Sequence, residues 1–157
     1  MQYAVRPMEL RDLDRVVAIE HLGSTNPWPL DAFLHELDSS ALSHPLVAVA
    51  PATGGDVAGF CVSWVVLEEM SIQNVGVHPL HRRRGVGRRL VSEALTEGLA
   101  RGARVALLEV RRSNTPARRL YAELGFEESG ERVDYYARPR EDALLYRKLL
   151  GSGSFPA

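Results

Sequence analysis

The feature that most constrains the fold is an apolar strand that runs into a glycine-rich turn and then into a helix. The strand ends in Val75-Gly76-Val77, the turn holds Gly85 and Gly87, and apolar residues at helical spacing follow. Glycine lets the backbone approach a ligand closely, and a helix start presents unpaired N–H groups at its positive dipole end. Five arginines between positions 82 and 89 add positive charge. The pattern therefore predicts a cradle for a pyrophosphate.

Two other phosphate-binding turns do not fit this sequence. A Walker A loop places Lys and then Ser or Thr directly after its last glycine. Here the turn continues with Arg88 and Arg89, and the only lysine of the chain is Lys148. A dinucleotide-binding fingerprint needs a third glycine three residues after the second, where this chain has Leu90.

Length and composition predict one small soluble domain. With 157 residues, 45% of them hydrophobic, the chain is long enough to bury one core. We expect a domain over residues 1–150 and a flexible tail over 151–157, which begins Gly-Ser-Gly-Ser. The single cysteine, Cys61, excludes an intrachain disulfide, and we expect an inert core thiol there. Since no stretch suits a signal peptide or a membrane span, we expect a cytoplasmic protein without membrane contact.

The charge of the chain is unevenly distributed, although the net charge is only −1. Residues 82–119 hold eleven arginines and three acidic residues, so this part favours an anionic ligand. It contains no aromatic residues to stack on bases, and we expect no direct contact with nucleic acid. We also expect no metal, because His78 and His81 lack a pattern of further ligands.

The hydrophobic pattern predicts alternating strands and helices. In the strand over 69–77, Gln73-Asn74 interrupts the alternation, which indicates a β-bulge that exposes backbone groups. Asn114 is a candidate cap for a helix that Gly125 ends. The other predicted strands cover 3–6, 46–50, 57–66, 105–110, 126–133 and 143–149, and the other helices cover 10–21, 31–37 and 86–99.

Glu109 and Tyr121 are candidate reactive residues. Glu109 is a carboxylate inside an apolar strand, and burial beside a pocket would raise its pKa toward that of a general base. The alternative is a strand-end glutamate paired with Arg111 or Arg112. Tyr121 lies on the following helix and points either over the same cleft or into the core. These residues alone leave the alternatives open.

The chain resembles the GNAT superfamily of N-acetyltransferases. The pattern Arg82-x-x-Gly85-x-Gly87 after a strand matches the acetyl-CoA signature of that superfamily. The stretch 108–126, with Glu109-Val110-Arg111-x-Ser113-Asn114 and later Tyr121-x-x-Leu124-Gly125-Phe126, is similar to the RimI-type branch, the ribosomal-protein alanine N-acetyltransferases. The resemblance implies a single-domain α/β fold. Its mixed, mostly antiparallel sheet would have six to seven strands, splayed in the middle and flanked by about four helices.

The resemblance also implies roles for individual residues. Glu109 would act as base and Tyr121 as acid in direct acetyl transfer from acetyl-CoA within a ternary complex. The residues implied to bind acetyl-CoA are Val75, Gly76, Val77, Arg82, Arg83, Arg84, Gly85, Val86, Gly87, Arg88 and Asn114. Candidates for the acceptor cleft are Trp28, Glu69, Tyr135 and Tyr136.

The acceptor implied by the resemblance is the N-terminal alanine of a small-subunit ribosomal protein. An α-amino group, with a pKa near ~8, is easier to deprotonate than a lysine near ~10.4. Two alternatives stay open at this point. One is an acetyltransferase for a small amine or a protein lysine, and the other is a non-catalytic module that binds acyl-CoA. We expect a monomer.

Overall fold

The computed structural model describes residues 3–38, 41–137 and 139–151, so most of the predicted tail lies outside the described residues. None of the described helices is both long and apolar enough to cross a membrane. The strands are β1 (Ala4–Pro7), β2 (Leu46–Ala50), β3 (Asp56–Val66), β4 (Glu69–Val77), β5 (Val105–Arg111), β6 (Glu127–Ala137) and β7 (Arg140–Leu149). The α-helices are α1 (Leu13–Gly23), α2 (Leu30–Asp38), α3 (Val86–Ala100) and α4 (Thr115–Glu123), and short 3-10 helices cover Leu10–Asp12, Pro51–Thr53 and Pro79–His81.

The seven described strands form one sheet in the order β1-β2-β3-β4-β5-β7-β6. Every neighbouring pair is antiparallel except β4 and β5, which run parallel with α3 as their crossover. The predicted mixed, mostly antiparallel sheet with four helices is confirmed.

The sheet opens between β4 and β5. Their ladder runs for four pairs, from Glu69 opposite Val105 to Ile72 opposite Leu108. Beyond this point β4 stays with β3 as far as Val77, and β5 stays with β7 as far as Arg111. The two strands therefore diverge, and we call the opening the splay.

The β-bulge predicted at Gln73-Asn74 is confirmed. Val62 of β3 pairs with Asn74, but the next residue, Ser63, pairs with Ile72. Gln73 is thus the extra residue of β4. It lies directly after the last β4–β5 pair, so the bulge and the splay begin at the same place.

The core has two parts, one on each face of β3. Cys61 and Val65 of β3 belong to the cluster that contains the apolar side of α3 and Tyr121 of α4. Phe60 and Val62 belong to the cluster that contains the apolar sides of α1 and α2. Because both faces are covered, β3 reads as a continuous apolar run rather than an alternating one.

The last hairpin is longer than predicted. The predicted strands ended at residue 133 and began again at 143, whereas β6 extends to Ala137 and β7 begins at Arg140. Cross-strand pairs such as Tyr136 with Glu141 extend the ladder through polar residues. Since β6 is an edge strand and nearly all exposed, its residues show no hydrophobic alternation.

We expect Gly76→Ala to destabilise the fold by about 1–3 kcal/mol, because added volume in a packed core forces its neighbours to move. A Cβ at Gly76 would lie 2.5 Å from Cε2 of Phe60, whose ring is fully buried. Gly130→Ala is the matched control, since a Cβ there would meet its nearest atom, Cδ1 of Leu145, at 3.5 Å. Denaturant unfolding of both variants measures the difference. Equal free energies of unfolding would contradict the packing at Gly76.

Candidate active site

The glycine turn between β4 and α3 has a backbone geometry that suits an anion. Arg83 and Gly85 both adopt left-handed conformations, with φ of 63° and 80°. The N–H of Arg89 donates to the carbonyl of Gly85 at 2.9 Å, which leaves the N–H groups of residues 86–88 without partners inside the helix. Left-handed residues that precede a helix start direct successive N–H groups into one concavity. This geometry suits the pyrophosphate predicted from the sequence.

The two glycines of the turn are required for different reasons. Gly85 needs its left-handed φ, and a Cβ there would meet nothing within 4 Å. Gly87 needs space, because a Cβ would lie 3.3 Å from Cδ2 of Leu120 on α4. The start of α3 therefore packs directly against α4.

The arginines of the turn differ in their partners. Arg82 donates from Nε to the carbonyl of Val77 at 3.3 Å, and Arg88 forms an ion pair with Glu123 of α4. Arg83 and Arg84 are exposed and form no ion pair with any described residue. Their charge is available to an anion on the turn.

Glu109 lies at the splay, but its surroundings differ from both sequence expectations. It is the first residue of β5 beyond the last β4–β5 pair. The side chain is 32% exposed rather than buried, and Oε1 lies 4.0 Å from Nη1 of Arg132 on β6. Arg111 pairs with Glu141, and Arg112 pairs with Glu131 and Asp142.

The exposure of Glu109 follows from the alternation of β5. Leu108 and Val110 are buried in the core cluster with α3, whereas Leu107 and Glu109 face the opposite side. Leu107 is only partly buried on that other side. Because Leu107 is apolar although it lies on the less buried face, the sequence of β5 shows no alternation of apolar and polar residues.

Tyr121 is buried, with 7% of its surface exposed. Its ring lies edge-on to Phe126 at 5.7 Å and to Tyr146 at 6.4 Å. Burial raises the pKa of Tyr121 well above its ordinary value, and the nearby groups of Cys61 and Tyr136 raise it further. The hydroxyl is therefore protonated throughout the neutral range. It lies within electrostatic reach of Cys61 on β3 and of Tyr136 on the β6–β7 hairpin.

Two of the predicted acceptor residues lie on the β6–β7 hairpin, and one of them, Tyr136, is within electrostatic reach of Glu109. Tyr136 is half-buried, and burial followed by the charge of Glu109 raises its pKa. Its ring lies 5.2 Å from that of Tyr135, and the guanidinium of Arg111 lies 4.2 Å from its centroid. The β6–β7 hairpin thus forms an aromatic wall beside Glu109.

The other two predicted acceptor residues lie outside the β6–β7 hairpin. Trp28 is partly buried in the α1–α2 connection, with its ring 5.3 Å from that of Phe33. Glu69 is paired with Val105, four residues before Glu109 on β5 and hence about 13 Å away along the strand. The structure does not bring Glu69 together with Glu109.

Glu20 is a residue of the site region that the sequence analysis missed. Only 5% of it is exposed, and its Oε2 accepts hydrogen bonds from the backbone N–H of Trp28 at 2.9 Å and from Nδ2 of Asn74 at 3.0 Å. The sequence does contain a sign of this role, because Glu20 continues the buried stripe of Val16 and Ile19 on α1. A carboxylate in such a position must accept hydrogen bonds from other parts of the protein.

Asn114 caps α4 as predicted, since its side chain accepts a hydrogen bond from the backbone N–H of Ala117 at 3.2 Å. The two histidines near the turn have local partners. His78 accepts from the N–H of Leu80, and His81 contacts the hydroxyl of Tyr3 at 2.9 Å. No group of three potential metal ligands occurs among the described residues.

Cys61 is an inert core thiol, as expected. It is fully buried in β3, and burial raises the pKa of its thiol to about 12.

We expect no reaction of Cys61 with a disulfide reagent at pH 8 until denaturant is added, as measured by absorbance. We also expect the free energy of unfolding to fall above pH 9 more in the wild type than in Cys61→Ala. The reason is that the thiol ionises near its ordinary value of 9.0 only in the unfolded chain. Rapid labelling of the folded protein would contradict this burial.

Comparisons with known proteins agree with this geometry. The sequence profile of the acetyltransferase (GNAT) family matches residues 10–126. A protein of Bacillus subtilis, provisionally named a ribosomal protein bS18-alanine N-acetyltransferase, is 39% identical over 90% of this chain and 92% of its own length. The ribosomal protein bS18-alanine N-acetyltransferase of Escherichia coli is 34% identical over 90% of this chain and 93% of its own.

A solved structure shows the same fold. The crystal structure of the ribosomal-protein-S18-alanine N-acetyltransferase from Escherichia coli matches with a TM-score of 0.85 and 29% identity, over 99% of this chain and 100% of the other. The resemblance found in the sequence is thereby confirmed. The chain belongs to the acetyltransferase (GNAT) family, as an N-acetyltransferase that uses acetyl-CoA as its donor.

Proposed function

We propose that the protein acetylates the N-terminal α-amino group of a ribosomal protein that begins with alanine. The names of the relatives from Bacillus subtilis and Escherichia coli support this acceptor. The structural observation that carries the proposal is the position of Glu109. Its carboxylate follows the last β4–β5 pair directly, where the unpaired edge of β4 and the tyrosines of the hairpin face the same opening.

The donor would lie along β4 and the turn. In the described chain, β4 has no strand partner on its β5 side from Gln73 to Val77. Backbone N–H groups of Val75 and Val77 would hold the pantetheine arm and polarise the thioester carbonyl, because aligned donors stabilise the charge that develops on oxygen during attack. Residues Arg83 to Arg88 would hold the pyrophosphate, and Asn114 would contact the cofactor arm while it caps α4.

Glu109 would act as the base through water. A solvent-accessible carboxylate suffices for this role because an α-amino group with a pKa near ~8 is already partly neutral at physiological pH. Arg132 lies at the edge of contact, 4.0 Å from the Glu109 carboxylate, and its own side chain is more than half exposed. Such a loose pair leaves the carboxylate able to meet a water and an amine.

Tyr121 would act as the acid. Burial keeps its hydroxyl protonated at neutral pH, so it can supply a proton to the departing CoA thiolate. Acetyl transfer would then be direct: the amine nitrogen attacks the thioester carbonyl, the C–S bond breaks, Glu109 takes the amine proton through water, and Tyr121 protonates the sulfur. The buried Cys61 takes no part in this sequence.

A matched pair of peptides tests the acceptor. One has a free N-terminal alanine, and the other has that amine blocked and an internal lysine. We expect release of CoA thiol from acetyl-CoA with the first peptide only. Acetylation of the lysine peptide would contradict the proposal. Turnover of small amines alone would favour the small-amine acetyltransferase, and binding of acetyl-CoA without any turnover would favour the non-catalytic module.

Two conservative substitutions test the catalytic roles. We expect Glu109→Gln and Tyr121→Phe each to lower kcat by roughly 10²- to 10⁴-fold, the range typical of acid–base groups, with little change in the binding of acetyl-CoA. Glu69→Gln is the control, because Glu69 lies at the far end of the β4–β5 ladder, and it should keep the wild-type rate. Wild-type kcat in the Glu109→Gln variant would remove Glu109 from the mechanism.

A further inference from the structure

The connection between α1 and α2, residues 24–29, is anchored on both sides of the splay. On the β4 side, Glu20 joins the backbone of Trp28 to Asn74, which sits in the bulge. On the β5 side, Nη2 of Arg111 lies 3.4 Å from Oγ1 of Thr25. One short segment thus spans the opening where the two strands diverge.

Arg111 is shared between this segment and the β6–β7 hairpin. Its Nη1 donates to the carbonyl of Pro139 at 3.0 Å and to Oε1 of Glu141 at 3.3 Å, and its guanidinium face covers the ring of Tyr136. The side chain is 19% exposed. A planar guanidinium can make such contacts at once because its donors form a fixed fork and its face stacks on aromatic rings.

Arg111 also lies two residues after Glu109 on the same strand, so both side chains leave the same face of the sheet. The residues that contact Arg111 come from the α1–α2 connection and from the hairpin, which are the two walls of the opening beside Glu109. A change at Arg111 therefore alters the separation of both walls from the proposed base.

Glu20 supplies the complementary anchor from inside the protein. Its carboxylate is buried, and the two donors that reach it are a backbone N–H and an amide. Removing the carboxylate would leave the Trp28 N–H and the Asn74 amide without this acceptor, which is costly inside a protein.

We propose that Glu20 and Arg111 are positioning residues for the acceptor: together they hold residues 24–29 across the splay, on the side of the sheet where Glu109 would meet an extended polypeptide N-terminus. This inference rests on the proposed function, in that the acceptor is a polypeptide N-terminus. Glu20 reaches β4 through the side-chain amide of Asn74, and the hydrogen bonds of Arg111 named above go to the α1–α2 connection and the β6–β7 hairpin, so we expect the larger effect on the acceptor.

The test uses Arg111→Met, which keeps the unbranched stem of the side chain but removes the guanidinium fork. We expect faster amide hydrogen exchange in residues 24–29 and a roughly tenfold higher KM for the alanine peptide, because each lost hydrogen bond loosens one wall. The KM for acetyl-CoA should stay within about twofold, a split that general unfolding would not produce. Thr25→Val should reproduce part of the exchange effect, and Thr25→Ser should not.

Arg112→Met is the matched control. Arg112 is the next residue on the chain and pairs with Glu131 and Asp142 of the same hairpin, but none of its described contacts reaches residues 24–29. We expect wild-type exchange in that segment. For the second anchor, Glu20→Gln retains an oxygen acceptor and should keep a near wild-type KM for the peptide, whereas Glu20→Ala should raise it.

Two results would overturn the inference. One is unchanged exchange in residues 24–29 of Arg111→Met, and the other is an equal rise in both KM values. The exchange measurement needs no turnover. It therefore tests whether Arg111 holds residues 24–29 even if no alanine peptide is acetylated. If the wild type does not acetylate the alanine peptide but exchange is faster in Arg111→Met, the proposed acceptor is rejected. The role of Arg111 in holding residues 24–29 then still stands.

Discussion

The site depends on the place where β4 and β5 stop pairing. These strands are the one parallel pair in the described sheet, and their ladder ends after four residue pairs because β4 gains an extra residue at Gln73 while β5 continues along β7. Beyond this point each strand exposes different groups. The backbone edge of β4 leads into the glycine turn, and β5 presents Glu109. Helix α3, the crossover between the two strands, begins at the same end of the sheet.

Features encoded by neighbouring residues could be predicted from the sequence. The turn is one, since the left-handed φ of Gly85 and the helix start at Val86 both follow from local chemistry. The bulge at Gln73 is another, because it breaks the alternation of a single strand. The strands β2 and β4 also have their predicted bounds, as each is bordered by residues of a different pattern.

Features that depend on distant residues could not be predicted. The exposure of Glu109 is decided by which face of β5 the helices cover, and the sequence around it is apolar on both sides. The polar half of the last hairpin is held by cross-strand pairing and by Arg111, not by burial. The distance of Glu69 from Glu109 follows from the register of β4 against β5, which places Glu69 at the other end of the ladder.

The packing of Gly87 against Leu120 has a consequence for the order in which substrates bind. Leu120 precedes Tyr121 on α4, and Arg88 pairs with Glu123 on the same helix, so the turn and the helix that carries Tyr121 are packed into one unit. Binding at a preassembled surface avoids the entropic cost of ordering it. The opposite half of the opening is held instead by single side chains that bridge separate segments. Under the proposed function, the donor surface is therefore formed before binding while residues 24–29 are held by hydrogen bonds of single side chains, an arrangement that favours entry of the donor first.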